Sequence, residues 1–280
     1  MSTVSQFNTQ TVRAWDDPQP DTFAQVNFPG RPFTAPPRLP HGIRQLDVVN
    51  NANICVKTAI EDVTQTSGVY HITSWAGTTL YSGTVDSLNL APANLEFLTG
   101  EHMRIRCVHA PAKYASASTR ITFERPFITP PKVLVFFNYI DLDKNRNWRL
   151  KTTATDIDAN GFTLNIETWG DTILYAAQAC WIAYPEDRAH IFSTSVNTVE
   201  VRPSSNPQLQ QSKSIGFGDI EFWKRPNVFV ALNSFDIGCG ANFRLNAYVD
   251  NISRKGLTWH IDAWGDTVLY SAGATIIAVN

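Results

Sequence analysis

The sequence predicts an all-β chain built from three tandem antiparallel β-sandwich modules. Three observations carry that reading. A Trp-to-Tyr phrase recurs as "TSWAGTTLYSGT" from Thr73, "ETWGDTILYAAQ" from Glu167 and "DAWGDTVLYSAG" from Asp262. Its spacing is nearly constant, since 169 − 75 = 94 and 264 − 169 = 95 for Trp75, Trp169 and Trp264. The intervening stretches read as short strands cut by turn residues, with no convincing helix.

Such a period exceeds the ~20–45 residues of a solenoid unit and suits a small domain with its own core. Each tryptophan follows a proline by 38 residues (Pro37, Pro131, Pro226), and an aspartate stands ten after each proline (Asp47, Asp141, Asp236). "FNTQTVRAWDDPQ" from Phe7 matches "VNTVEVRPSSNPQ" from Val196 at an offset of 189, on which Phe28 and Phe217 also fall. The expected modules are residues 1–91, 92–186 and 187–280, with joints near "APAN" and "PEDR".

Within the middle module, "KVLVFFNYIDL" is a buried strand, "WRLKTTATDI" and "GFTLNIETW" alternate, and "AAQACWIAY" follows. Antiparallel strands of this kind pack as a sandwich. Parity puts Phe162, Leu164 and Ile166 on one face, and Thr163, Asn165, Glu167 and Trp169 on the other. In the third module Leu257, Trp259 and Ile261 oppose Thr258, His260, Asp262 and Trp264. Arg149 points outward between inward Trp148 and Leu150, as Arg244 does between Phe243 and Leu245. The turns "DANG" and "SRKG" give pairing sums near 319 and 509, while 149 + 169 = 318 and 244 + 264 = 508. Each arginine is therefore expected beside its tryptophan on the outer face of a hairpin.

A single exposed Arg–Trp couple is most simply a cation–π contact worth ~0.5–1 kcal/mol. Two at the same register, each followed by "GDTxLY", point to a ligand. An indole stacks on the apolar face of a pyranose, and a guanidinium forks onto vicinal hydroxyls as lysine does not. A neutral, hydroxyl-rich ligand suits that pairing, with the tyrosine six residues on as a further amphipathic edge.

Composition excludes other classes. Net charge is −2 with pI about 6.3, so neither nucleic acid nor an anionic membrane is an expected partner. The start lacks a basic region followed by an apolar one, and no apolar run approaches ~18 residues, so no membrane insertion is expected. Cys55, Cys107, Cys180 and Cys239 are scattered and make no disulfide framework. A cytoplasmic protein is expected, with export by an unconventional route left open. No metal or cofactor is expected, because neither ligand spacing nor a glycine-rich phosphate loop is present.

The pattern "PPKVLVFFNYIDL…NWRL…GFTLNIETWGDTILY…CWIAY" resembles the H-type lectins, the snail-agglutinin and discoidin carboxy-terminal domain family. The resemblance spans all three modules, most strongly the second. It implies a six-stranded sandwich that assembles as a trimer, so three fused modules suggest an intrachain pseudo-trimer. It also implies metal-free binding of galactose- or N-acetylgalactosamine-terminated glycans, glycoproteins or glycolipids, in shallow sites between protomers. The sugar-contacting arginine maps to Arg149 and Arg244, the stacking tryptophan to Trp75, Trp169 and Trp264, and the tyrosine to Tyr81, Tyr175 and Tyr270. The residue after the tryptophan, histidine in the snail lectin, is Ala76, Gly170 or Gly265, leaving at most a backbone contact. The neighbouring protomer's acidic loop best matches "DDPQPD", giving Asp17 and Asp21, and "SNPQLQ", giving Asn206.

Module one departs from this pattern. Cys55 replaces the arginine, Gly77 replaces the aspartate, and Gly68 precedes Trp75 by seven residues rather than eight. That shift is expected to bring Lys57 opposite Trp75 in a weakened site. Asp47, Asp141 and Asp236 are expected to be structural and Asp171 and Asp266 to form turns; His71 and His260 share the face of their tryptophans but, as lone surface histidines, are expected to be solvated and are not counted among the site residues. A hydrolytic carboxylate pair, Asp141/Asp143 or Asp156/Asp158, is not repeated across the modules, so an enzyme is not expected. The main rival is a structural or protein-binding β-trimer with no sugar ligand; association with further copies stays open.

Overall fold

Alternation along the chain sets which faces pack. In the computed structural model, which describes residues 2–105 and 116–280, Trp148, Leu150, Phe162, Leu164 and Ile166 are buried, while Lys151 is exposed. Module one supplies β1 (Thr3–Asn8), β2 (Asp21–Asn27), β3 (His41–Val48), β4 (Ile54–Glu61), β5 (Ser67–Ser74) and β6 (Leu80–Asn89). Module two supplies β7 (Leu98–Ile105), β8 (Ser116–Thr122), β9 (Lys132–Leu142), β10 (Trp148–Asp158), β11 (Gly161–Glu167) and β12 (Leu174–Tyr184). Module three supplies β13 (Ile191–Asn197), β14 (Ser212–Gly216), β15 (Asn227–Ile237), β16 (Phe243–Asp250), β17 (Gly256–Asp262) and β18 (Leu269–Val279). Cys107 lies outside the described residues; Cys55 and Cys180 are buried free thiols and Cys239 a half-buried one.

The three six-stranded sheets do not follow the module boundaries. Their orders are β1-β6-β3-β16-β17-β14, β13-β18-β15-β10-β11-β8 and β2-β5-β4-β9-β12-β7. Each module contributes two three-stranded halves, and each half continues into a half from a different module. Three seams result: β4 with β9, β10 with β15, and β16 with β3. Each is a ladder of four residue pairs, and together they close the modules into a ring. The expected pseudo-trimer is thus welded by backbone hydrogen bonds rather than by side chains alone.

Equivalent positions meet on the pseudo-threefold axis. At one end Asn53, Asn147 and Asn242 accept, through their side-chain oxygens, the backbone N–H of Lys144 (3.1 Å), Cys239 (3.2 Å) and Asn50 (3.3 Å) from the next module. Further down the axis, Gly42, Phe136 and Ala231 converge. A Cβ on Gly42 would lie 2.5 Å from the Phe136 ring and 2.6 Å from the Ala231 methyl. One large, one small and one absent side chain share a space that three identical ones could not fill.

The hairpin register follows from a shared irregularity. Asp62, Asp156 and Asn251 are left-handed, with φ of 47°, 49° and 48°. Short polar side chains tolerate that conformation. In module two a bulge beyond Thr155 shifts the pairing sum from 319 at Asp158–Gly161 to 318 at Lys151–Glu167.

Candidate functional site

The strands position one arginine at each of two seams. In the β10–β15 ladder Arg149 pairs with Asp236 of module three, and in the β16–β3 ladder Arg244 pairs with Asp47 of module one. Arg149 Nε lies 3.4 Å from Asp236 Oδ1, and its Nη1 donates to Asp171 Oδ1 at 2.8 Å. Arg244 repeats this, with Nε 3.6 Å from Asp47 Oδ1 and Nη1 donating to Asp266 Oδ1 at 2.6 Å. Each guanidinium is therefore clamped between a carboxylate of its own turn and one of the next module. Among the described residues neither Nη2 forms a protein hydrogen bond.

The tryptophans approach the same carboxylates. Trp169 lies close enough to Asp236, and Trp264 to Asp47, to favour the ionised carboxylate, so each indole comes up to the neighbouring module's side of its seam. Trp169 stays 37% exposed, and the Arg149 and Arg244 side chains 17% and 18%. Burial pushes the Asp236 and Asp47 carboxyls up from their ordinary range, against the pull of the arginines and indoles. Hydrogen bonds from the arginines hold the exposed Asp171 and Asp266 carboxyls below theirs.

Each letter of "WGDT" now has a physical reason. Gly170 and Gly265 both have φ of 63°, and a Cβ there would lie 2.8 and 2.7 Å from the arginine Nη1. The glycines let the guanidinium lie against the turn. The aspartates grip it, a role beyond the turn-forming one expected from sequence. The threonines tie the turn to the axial loops: Thr78 and Thr267 donate to the Asn53 and Asn242 carbonyls at 2.7 Å, and Thr172 to that of Asn147. These asparagines join the seams to the axis and were missed in the sequence. Their signal was present, an Asn two residues before Cys55, Arg149 and Arg244 in all three modules.

The structure regroups several expected residues. Tyr270, six after Trp264, lies on β18 in the sheet that carries Arg149, while Tyr81 lies on β6 in the sheet that carries Arg244. Tyr175 lies on β12, in the sheet with Cys55, and donates to Asp143 Oδ2 at 2.9 Å. Each tyrosine thus lies in the sheet of a seam other than that of its own tryptophan.

The loops divide similarly. The loop with Asp17 is fastened by Arg13 to the Tyr81 and Leu80 carbonyls (3.0 and 2.8 Å), on the sheet of Arg244. The loop with Asn206 is fastened by Arg202 to the Tyr270 and Leu269 carbonyls (both 2.8 Å), on the sheet of Arg149. Asp17 and Asn206 thus stand on loops fixed to those two sheets. Asp21 starts the edge strand β2 and is taken up by His71 (3.0 Å) and Thr73 (2.9 Å) of its own module.

The third seam is different chemistry. Cys55 pairs with Asp141, and its thiol donates to Asp141 Oδ1 at 3.3 Å. Burial pushes that thiol up to about 12, so it stays neutral. Trp75 packs on Tyr139, with centroids 5.0 Å apart and planes tilted 41°. It also lines a hollow of about 440 Å³ with Pro18, Gln19 and Pro20.

The expectation for Lys57 is corrected here. Lys57 pairs with Thr73 and Tyr139, and the Val56–Ser74 pair sets Cys55 opposite Trp75. The module-one turn is not displaced. Thr64 N–H bonds the Ser67 carbonyl as Ser253 N–H bonds that of Gly256, so Ser67 takes the glycine's place and Gly68 stands one further on.

The carboxylates weighed for hydrolysis have other partners. Asp143 holds Asn145 and Tyr175, Asp156 is the left-handed bulge residue, and Asp158 caps its turn by accepting from Asn160 and Gly161. His71 stacks on Phe23 and His260 on Tyr248, at 5.1 and 4.5 Å, away from the arginines.

Comparison with known proteins bears on this arrangement. The sequence matches the H-type lectin domain over residues 23–86, 118–184 and 212–279, one match in each module. It is similar to a curated protein of Fuscovulum blasticum, "ATP synthase subunits region ORF 7", at 36% identity over 63 residues, or 22% of this chain. The chain spans 55% of that relative's length. Among solved structures it is similar to recombinant discoidin II of Dictyostelium discoideum, at 11% identity and a TM-score of 0.28, over 58% of this chain and 77% of that one. With the domain matched once per module across most of its length, the chain belongs to the H-type lectin domain family, with three tandem domains.

Proposed function

We propose that the Arg149–Trp169 and Arg244–Trp264 seams are the sugar sites, and that each takes a terminal galactose or N-acetylgalactosamine. The observation that supports this reading is the open Nη2 of each clamped arginine beside a partly exposed indole. Held on two sides, the guanidinium loses little freedom on binding, and Nη2 can donate to a ring hydroxyl. Asp171 and Asp266, kept ionised, are acceptors for a second hydroxyl, and the indole covers the apolar sugar face. No metal is needed for these contacts.

The third seam fits the rival reading of a structural contact. A neutral thiol offers no fork of donors, and Trp75 packs across the seam on the Tyr139 ring rather than beside a guanidinium. It is read as a joint of the ring.

Titration calorimetry with N-acetylgalactosamine tests the proposal. Arg149→Lys and Arg244→Lys keep the charge between the carboxylates but lose the fork. Each is expected to lose at least tenfold in affinity at its own seam and to move Tm by less than ~4 °C, as for a weakened half-exposed ion pair. Full affinity in the double variant would refute the arginine role.

A further inference from the structure

Trp15 is an exposed indole on a loop that has no freedom to hide it. Its side chain is 57% exposed, and its ring meets Tyr81 edge-on at 5.4 Å and 76°. The loop between β1 and β2 is tied at both ends. Arg13 bonds the Leu80 and Tyr81 carbonyls, Thr22 Oγ1 at 2.7 Å, and the Ala14 and Asp17 carbonyls at 3.1 and 3.2 Å. Ser74 N–H bonds the Pro20 carbonyl at 2.7 Å. An aromatic fixed in this way is ready to receive a ligand without further ordering.

Its position follows from the register. Arg244 pairs with Asp47, and Asp47 pairs with Ser82 next to Tyr81. Tyr81 therefore stands two strand spacings, about 10 Å, from the arginine's strand. In module three the equivalent Tyr270 comes within 3.7 Å of a Cβ built on Gly238, two residues past Asp236, so this tyrosine borders the carboxylate of the seam. Trp15 adds a ring beyond it. The Arg149 seam has no such ring: Arg202 bonds the equivalent two strand carbonyls, of Leu269 and Tyr270, but Ser204 occupies the place of Trp15.

We propose that Trp15 and Tyr81 form a second platform beside the Arg244–Trp264 seam, taking the penultimate or next sugar ring of a neutral oligosaccharide. The two arginine seams would then differ in ligand length, one reading a terminal sugar and the other a short chain. This rests on the sugar reading above.

The test uses the full chain carrying Arg149→Lys, which isolates the Arg244 seam. Calorimetry compares N-acetylgalactosamine with two- and three-residue glycans ending in galactose or N-acetylgalactosamine. At least one oligosaccharide is expected to bind about three- to tenfold tighter than the monosaccharide. Trp15→Ser should erase that gain and leave monosaccharide affinity unchanged, and Trp15→Phe should keep most of it. Adding Ser204→Trp to an Arg244→Lys chain should create a gain at the other seam. If no oligosaccharide outbinds the monosaccharide, or if Trp15→Ser changes nothing, the inference falls while the sugar reading stands. A wild-type chain that binds no sugar overturns both.

Discussion

The Arg149 guanidinium sits between two carboxylates that respond to pH in opposite senses. Asp171, held below its ordinary value by the arginine, contributes stability that is present at neutral pH and lost as pH falls through its depressed folded pKa. Asp236, raised by burial, favours its neutral form in the fold, so its contribution runs the other way and is lost as pH rises through its folded pKa. Acidification should protonate Asp236 and Asp47 first. As pH is lowered, sugar affinity is then expected to fall first, before the contribution of Asp171 and Asp266 to Tm is lost. Paired calorimetry and melting across pH 3–7 would show whether the two losses separate, and Asp236→Asn should remove the earlier one at its seam. The glycines give a second prediction. Gly170→Ala or Gly265→Ala puts a methyl against Nη1 at a left-handed position, costing about 1 kcal/mol, and should weaken sugar binding severalfold by tilting the arginine. Ala76, at φ 54° in the module without the arginine, already tolerates the methyl, which marks the guanidinium as what the methyl displaces.

Among the elements, the hairpins were the most legible part of the sequence. Period-two alternation and a turn centre were enough to align Arg149 with Trp169, because β10 and β11 are adjacent strands of one module and Trp169 stands just past the end of β11. The partners across the seams were not legible, since nothing in "FNYIDL" says which module's strand will lie beside it. For the same reason parity gives Tyr270 a face but not a sheet, and the six-residue spacing from Trp264 does not reveal that Tyr270 lies in the sheet that carries Arg149. Lys57 was misplaced because a glycine was taken to mark the turn, where Ser67 serves as well. The axial elements allow a direct check. Phe136→Ala should leave a cavity costing about 3–5 kcal/mol, and Gly42→Ala should destabilise by overpacking against the same ring. Chemical denaturation of the double variant should show the second change largely absorbed by the first; simple additivity would mean that the three positions do not share one space.

For the molecule as a whole, three modules give two arginine seams. Native mass spectrometry with N-acetylgalactosamine should find two sugars per chain; a third with comparable affinity would mean that the Cys55–Trp75 seam also binds. Both arginines stand near the axial asparagine loops, so both sites open toward the same end of the ring. On the proposed sugar reading, one molecule would engage two glycans on one surface, where linked sites raise apparent affinity by ~10²–10⁴.

The seam between β16 and β3 has a consequence for synthesis. It joins the last module to the first, so a growing chain carries β3 as an unfinished sheet border until nearly two hundred further residues have left the ribosome. Throughout that interval the border is open to the matching strand of another nascent copy. A chain stalled or cleaved before module three would have Asp47 without its arginine, and its exposed border would invite exchange of modules between molecules instead of closure on itself.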